Sequence, residues 1–368
     1  MTTISIGPRV QYWREKRNLT QTDVAVRLGI KDRQTISAIE TGERQIKADE
    51  LLGILQVLGV TLDDLTNPFK LLGEGSFNWR QHGLPIDRLA RYEETAGSWI
   101  AIYRHYAATL GIKPPLRRPK LPLSSSASYE QAMEAGERVC SELELGPVPA
   151  DRLITAMEEK YGILVLMVDA EEGISGAACR LPEIDAILVN RREVIGRRNF
   201  DLAHELFHIM TWEQMPPARF EDTSKKTKDR VERLADNFAG ALLMPVNILI
   251  RFGEWTHLGS AELVRKLNET ADELRVTAKA LKWRLFALKM LKETFVSVLD
   301  DALIRNNGRL KSEDEVPSLF SKKFNELIAK VLDLGLLSRR RAAQELSVEL
   351  HELDQLLLPY SAALAESV

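Results

Sequence analysis

The stretch "NFDLAHELFHIMTW", Asn199 to Trp212, contains His204-Glu205-Leu206-Phe207-His208. On a helix, residues four apart share a face. His204 and His208 would then present two imidazoles side by side, with Glu205 on the adjoining flank. A zinc hydrolase needs two nitrogen ligands and a carboxylate beside its bound water, at this spacing. Leu202, Ala203, Leu206, Phe207, Ile209 and Met210 surround them. Such a helix would be buried, and a buried histidine pair and glutamate need partners. The competing reading is an ordinary buried helix with two incidental histidines.

A tetrahedral catalytic site needs a third protein ligand and one open position. Glu232, in "ERLADNFAGALLMP", lies 24 positions after His208 (232 − 208) on the next expected helix. Asp236 follows one turn on, where it can accept a hydrogen bond from the second ring nitrogen of a ligating histidine. Acids four apart are usually a solvated helix face, but the apolar residues around this pair imply burial.

The rest of the chain sets the context. With 368 residues it is long enough for two or three domains. Hydrophobic residues make up 45% and charged residues 28%, as in a globular protein. A net charge of −3 favours no particular partner, so DNA binding would need a local basic face. Cys140 and Cys179 lack metal-site spacing and are too few for a disulfide framework, which fits a reducing compartment. "MTTISIGPRVQYWREKRNL" has no apolar core of signal-peptide length, and no apolar run approaches the ~18 residues of a membrane span. A cytoplasmic protein without membrane contact is expected.

Before the active stretch, "ILVLMVDA", "ISGAACRL" and "DAILVN" read as short strands. After it, a polar loop from Glu213 to Lys228 leads to the Glu232 helix, which Pro245 stops, and helices fill Ser260 to Leu291. "RRNFDLAHELFHIM" followed by "ERLADNFAGALLMP" resembles the ImmA/IrrE family of bacterial metallopeptidases, over roughly Pro149 to Leu291. The strand ending at Asn190, with Arg197 and Phe200, also fits that family. The resemblance implies that His204, His208 and Glu232 hold zinc, with manganese possible, and that Glu205 is the catalytic carboxylate. Asp236 stands where the family more often has Asn, and Asp is the gluzincin-like choice. Zinc lowers the pKa of its water to near ~7, and Glu205 would pass the water proton to the leaving amine. An oxyanion donor is not identifiable; Tyr161 and His257 are candidates. His82, His105 and His351 have no ligand-like context.

Residues 1–68 carry five short helical patterns punctuated by Gly29, Gly42 and Gly59. "LTQTDVAVRLGIKDRQTISAIETGERQIKADELLGILQVLGV" has helix-turn-helix organisation. Ile36 and Ile39 anchor the second helix, leaving Arg33, Gln34, Thr35, Ser37 and Ala38 outward. Gln and Arg can pair with base edges in the major groove. Arg14, Lys16, Arg17 and Lys31 could hold phosphates. A small helical protein-interaction domain is the alternative. "Q-x-x-I-S-x-I-E-x-G" resembles the XRE (Cro/repressor-like) family, over about residues 7–66. The resemblance implies that Gln21 and Gln34 touch an operator and that the protein binds paired half-sites as a dimer.

Residues 69–128 are expected to be a helical connector ending in a Pro/Ser-rich linker, Ile112 to Ser128. Within it "FNWR", Phe77 to Arg80, looks like a hydrophobic anchor with a capping polar residue, and no chemistry is assigned to it. Residues 293–368 read as helical, and Arg339, Arg340 and Arg341 suit an accessory packing or dimer role better than DNA contact. The expected fold is mainly α, with a five-helix N-terminal reader, a small α+β zincin-like domain over 129–292 and a helical C-terminal region. The resemblances together imply a transcriptional regulator whose zinc endopeptidase cleaves a repressor or antitoxin-like protein. The alternative is a non-catalytic repressor or antitoxin whose zincin-like domain senses a ligand or partner.

Overall fold

The structure, a computed structural model, describes residues 6–71, 75–81, 83–112, 116–217, 225–292, 299, 302–304 and 316–361. The chain divides into two compact units. The first comprises Met1–Gly75, Leu89–Lys113 and Leu327–Val368; the second comprises Ser76–Arg88 and Pro114–Glu326.

The first unit begins with α1 (Ile6–Lys16), α2 (Gln21–Arg27), α3 (Arg33–Glu40), α4 (Ala48–Leu58) and α5 (Leu62–Thr66). Their starts follow from local chemistry. Thr20 and Asp23 form a reciprocal capping box at α2, and Thr61 and Asp64 repeat it at α5. Asp32 caps α3 by accepting from the Gln34 amide. Gly29 takes a φ of 69° after α2, the left-handed turn that lets α3 follow at once. Val10, Val24, Ala25, Ile36, Ile54, Leu58 and Leu65 form the core. The unit also holds most of α6 (Ile86–Thr109), the end of α14 (Lys322–Asp333), α15 (Arg339–Leu346) and α16 (Leu350–Leu357). The Trp99 indole donates to the Leu346 carbonyl at 3.2 Å, and Tyr106 donates to Leu336. In the basic run, Arg339 is paired with Asp354 and Arg341 with Glu345. The C-terminal helices therefore pack within this unit.

The second unit is built on a four-stranded sheet of β1 (Ser76–Gln81), β2 (Leu164–Val168), β3 (Ile174–Arg180) and β4 (Asp185–Asn190), in the order β1-β3-β4-β2. β1 and β4 both run antiparallel to β3, and β2 runs parallel to β4. β2 is buried throughout, as its unbroken apolar run suggests. Around the sheet lie α7 (Tyr129–Glu142), α8 (Pro149–Ala156), α9 (Ile195–Met210), α10 (Lys225–Leu243), α11 (Val246–Leu249), α12 (Ser260–Glu273) and α13 (Ala278–Ala287). α9 packs against β3, β4 and α10, and α10 packs closely against α7.

Two expectations need correction. Phe77–Arg80 is no isolated anchor: it forms most of the edge strand β1, with Trp79 opposite Ala177 and Arg80 opposite Gly176. Its two-residue alternation is too short to stand out, and its partner lies about a hundred residues on. The Pro/Ser-rich linker is no free tether either. Leu121 and Leu123 are buried in the core, the Leu121 amide donates to the Met210 carbonyl at 3.0 Å, and Arg118 pairs with buried Asp185. Pro119 and Pro122 restrict the backbone around Leu121, and Leu121 and Leu123 supply the grip. No helix among the described residues is long and apolar enough to cross a membrane.

Candidate metal centre

Every residue of α9 from Asp201 to Met210 is buried, so this helix has no solvent face. Its polar groups must find partners inside the protein. β3 crosses it closely at Gly176. A Cβ there would stand 3.0 Å from the Leu188 carbonyl and 3.5 Å from the Glu205 Cγ. A side chain at Gly176 would thus crowd both the sheet ladder and Glu205.

His204 and His208 point the same way, with their Nε2 atoms 3.1 Å apart. α10 brings Glu232 to them. One carboxylate oxygen lies 3.2 Å from the His204 Nε2 and the other 3.6 Å from the His208 Nε2. All three side chains offer a ligand atom within 4.8 Å of the others. Bonds of ~2.0–2.1 Å around a tetrahedral ion keep ligand atoms roughly 3.3 Å apart, which matches these separations. The group can hold a metal ion. Asp236 sits one turn after Glu232 and takes the His204 Nδ1–H at 2.9 Å. That bond fixes the tautomer, so His204 presents its Nε2 lone pair to the centre.

Burial and close neighbours shift the titration of these groups in opposite directions. Burial alone would lower the His204 pKa, but Asp236 and Glu232 outweigh it and raise it to about 9. Burial, with the neighbouring His204, lowers that of His208. Two imidazoles this close cannot both be charged. Glu205 is 1% exposed, and neither of its oxygens has a hydrogen-bond partner among the described residues. Burial raises its pKa to about 8, with Glu232 and Asp201 adding to the rise and His204 and Arg80 opposing it.

Arg80 was not singled out by the sequence. From β1 its guanidinium reaches Asp201, 0% exposed, at 3.0 Å and Asp236 at 3.4 Å. Arg197 also pairs with Asp201, at 3.1 Å. Arg80 thereby neutralises two acids that border the histidines. An arginine directly after a tryptophan in a short alternating run is the available signal, and it is weak without knowledge of the strand pairing. Tyr161 and His257 do not hydrogen-bond to the centre among the described residues. Tyr161 is buried with its pKa pushed up to about 12, while His257 is exposed. His105 packs edge-on against Phe69 and Tyr106, and His351 is exposed. His82 lies outside the described residues.

In the N-terminal unit, Arg33 and Gln34 are exposed on α3, and Thr35, Ser37 and Ala38 are half-buried beside them. Lys31 is exposed on the approach to that helix. Two expected phosphate contacts are turned to other uses. Arg14 is buried and bonds Glu40 through Nε at 2.6 Å and Nη2 at 3.0 Å. Arg17 donates to the Leu58 carbonyl at the end of α4, which suits a cation at a helix C-terminus. Gln21 donates to Glu40 at 2.8 Å, so in this structure its amide braces α2 on α3. Lys16 lies over the Tyr12 and Trp13 rings.

No curated protein matches the chain. Among solved structures, one match is ComR from S. thermophilus in complex with DNA and its signalling peptide ComS. It is 14% identical, covering 93% of this chain and 99% of that one, with a TM-score of 0.17. Another is the apo competence regulator ComR from Streptococcus vestibularis, 12% identical over 90% and 98%, also at 0.17. Similarity at that level carries no argument about this chain. The family models are informative. Residues 10–65 match the helix-turn-helix model, which spans most of α1 through most of α5. Residues 158–286 match the IrrE N-terminal-like domain, which contains His204, Glu205, His208, Glu232 and Asp236 but not Arg80. The chain therefore joins an XRE-type helix-turn-helix domain to an IrrE-like, metallopeptidase-type domain.

Proposed function

We propose that the chain is a DNA-binding transcriptional regulator whose second unit is a zinc-dependent endopeptidase. The observation that carries the catalytic reading is Glu205: a buried carboxylate with both oxygens unpaired, beside three converging ligand atoms. A purely structural metal site has no use for such a group. A bound zinc ion would activate water at neutral pH and polarise the scissile carbonyl. With a metal bound, Glu205 would take the proton of the activated water and pass it to the leaving nitrogen. Asp236 holds the His204 tautomer, and Arg80 and Arg197 balance the charge of buried Asp201. The substrate is a repressor or antitoxin-like protein, as the ImmA/IrrE resemblance implies. α3 reads an operator through Arg33, Gln34, Thr35, Ser37 and Ala38, with Lys31 on phosphate and two copies on paired half-sites.

Metal analysis of the purified protein beside His204→Ala tests the centre: about one zinc per chain, lost in the variant, is expected. Manganese in its place would change the metal and keep the site. Mapping of new protein N termini in cells tests the activity. Cleavage products should appear with the wild type and vanish with Glu205→Gln, which keeps its metal and its DNA binding. Products that persist with Glu205→Gln would remove Glu205 from the mechanism. Metal without any cleavage would leave the domain as a sensor.

A further inference from the structure

Glu205 must meet water and a peptide bond to act, yet both of its carboxylate oxygens are closed to solvent. His204 and His208 are buried with it. The strand over Glu205 is β3, which passes it at Gly176. β1 covers the outer edge of β3 at that point, with Arg80 opposite Gly176. The Arg80 guanidinium then lies over the Phe200 ring and reaches Asp201 on α9 and Asp236 on α10. It thus ties the sheet edge to both helices that carry the ligand residues. A cavity of about 400 Å³ ends at Arg80 and Asp236, and none of His204, Glu205, His208 or Glu232 lines it. Resting on the peptidase reading, we infer that β1 is a resident inhibitory strand. It occupies the edge of β3 to which an extended substrate peptide pairs, and that peptide reaches Glu205 when β1 leaves.

Several features suit β1 to being removable. The matched segment, residues 158–286, contains β2, β3, β4, α9 and α10, so β1 joins the sheet from outside it. The piece that carries β1, Ser76–Arg88, is flanked in sequence on both sides by residues of the first unit. Every residue of β1 is exposed or half-buried, and a short edge element of that kind opens at low cost. Its departure strands neither acid: Asp201 keeps Arg197 at 3.1 Å, and Asp236 keeps His204 at 2.9 Å. What it uncovers is a row of N–H and C=O groups along β3. Such a row accepts an extended peptide through main-chain hydrogen bonds. Selection there falls on an extended backbone before it falls on side chains.

The test locks β1 in place. Phe77 stands opposite the native Cys179. Directly opposed residues have Cβ atoms about 4.5–5.5 Å apart, near the reach of a disulfide. The zinc-loaded full chain carrying Phe77→Cys is prepared reduced and oxidised, and thiol counting verifies the bond. Two probes are titrated calorimetrically: acetohydroxamate, which needs only the metal, and tetra-alanyl hydroxamate, which also needs a strand edge. The reduced form should bind the tetra-alanyl probe about tenfold or more tightly than the oxidised form, because a locked strand removes the competent state. Trp79→Pro deletes a backbone donor and the Phe77–Trp79 ring stack, whose centroids are 5.2 Å apart. It should tighten tetra-alanyl binding by about tenfold and speed hydrogen exchange across Ile174–Arg180. Equal tetra-alanyl affinity in the two redox forms overturns the inhibitory strand. Tighter binding by the oxidised form also overturns it and makes β1 itself the docking edge. If the disulfide does not form, unchanged tetra-alanyl affinity in Trp79→Pro overturns it instead. Failure of acetohydroxamate to bind the reduced form overturns the metal centre, and the inference with it.

Discussion

Replacing Arg14 by Met separates two roles for one residue. Its guanidinium donates four bonds: 2.6 and 3.0 Å to the two Glu40 oxygens, 2.9 Å to the Leu19 carbonyl and 3.3 Å to Glu15. The pair is buried, with side chains 10% and 3% exposed. Removing one partner strands a buried carboxylate, which costs about 3–5 kcal/mol. Glu40 also accepts from Gln21, so the loss loosens α2 against α3. Small domains hold only about 5–15 kcal/mol in total, so the reader loses much of its stability. Hydrogen exchange read by mass spectrometry localises the effect. Protection across Gln21–Glu40 should fall by roughly a hundredfold or more, at ~1.4 kcal/mol per factor of ten. Making both positions apolar, Arg14→Met with Glu40→Leu, should recover most of that loss. A phosphate contact behaves otherwise: Arg14→Met would leave protection intact and lower the salt slope of DNA binding by about one. That outcome would refute the buried-pair reasoning.

Three further outcomes are expected. Zinc at about a hundred times its dissociation constant should stabilise the second unit by about 2.7 kcal/mol, seen as a higher unfolding temperature; a chelator should reverse this, and His204→Ala should not respond. Arg80→Met should weaken metal binding about 10–100-fold by freeing Asp236 and leaving Asp201 only Arg197; metal titration with unchanged affinity would limit Arg80 to strand packing. Arg44 and the Lys47 amide depress the Glu50 pKa from 4.5 to about 2. A depressed acid stabilises the fold above its unfolded pKa and loses that contribution as pH falls through the folded one. Glu50→Gln should therefore be less stable than the wild type at neutral pH and equal to it near pH 2; a gap that persists in acid would point to packing instead.

What could be read in advance follows from what is local. Caps, glycine stops and apolar periodicity each act within a few residues, so the five reader helices were legible. The His204–His208 spacing and the Glu232–Asp236 pair each lie within one helical turn, so both halves of the candidate site can be read from local spacing. Arg14 meets Glu40 where a phosphate contact is expected, because a basic side chain looks alike in sequence whether it meets phosphate or a buried glutamate. Arg80 went unassigned because its value comes from β1 lying beside β3, a pairing with no local trace. The Pro/Ser-rich strap misled for the opposite reason: its composition suggests freedom, while Leu121 and Leu123 bind it to the core.

That strap divides the chain in sequence but not in structure. β1 precedes it and β3 follows it, and they pair at six positions from Ser76 to Gln81. The other unit is shared in the same way, since α6 comes before the strap and carries Trp99 and Tyr106, whose partners Leu346 and Leu336 come after it. A single cut in the strap would yield two polypeptides, each holding part of both units. They should separate in denaturing gels and elute together from a native column. Cleavage at that point, by the chain's own centre or by another protease, would leave a nicked complex and would not by itself release the DNA reader.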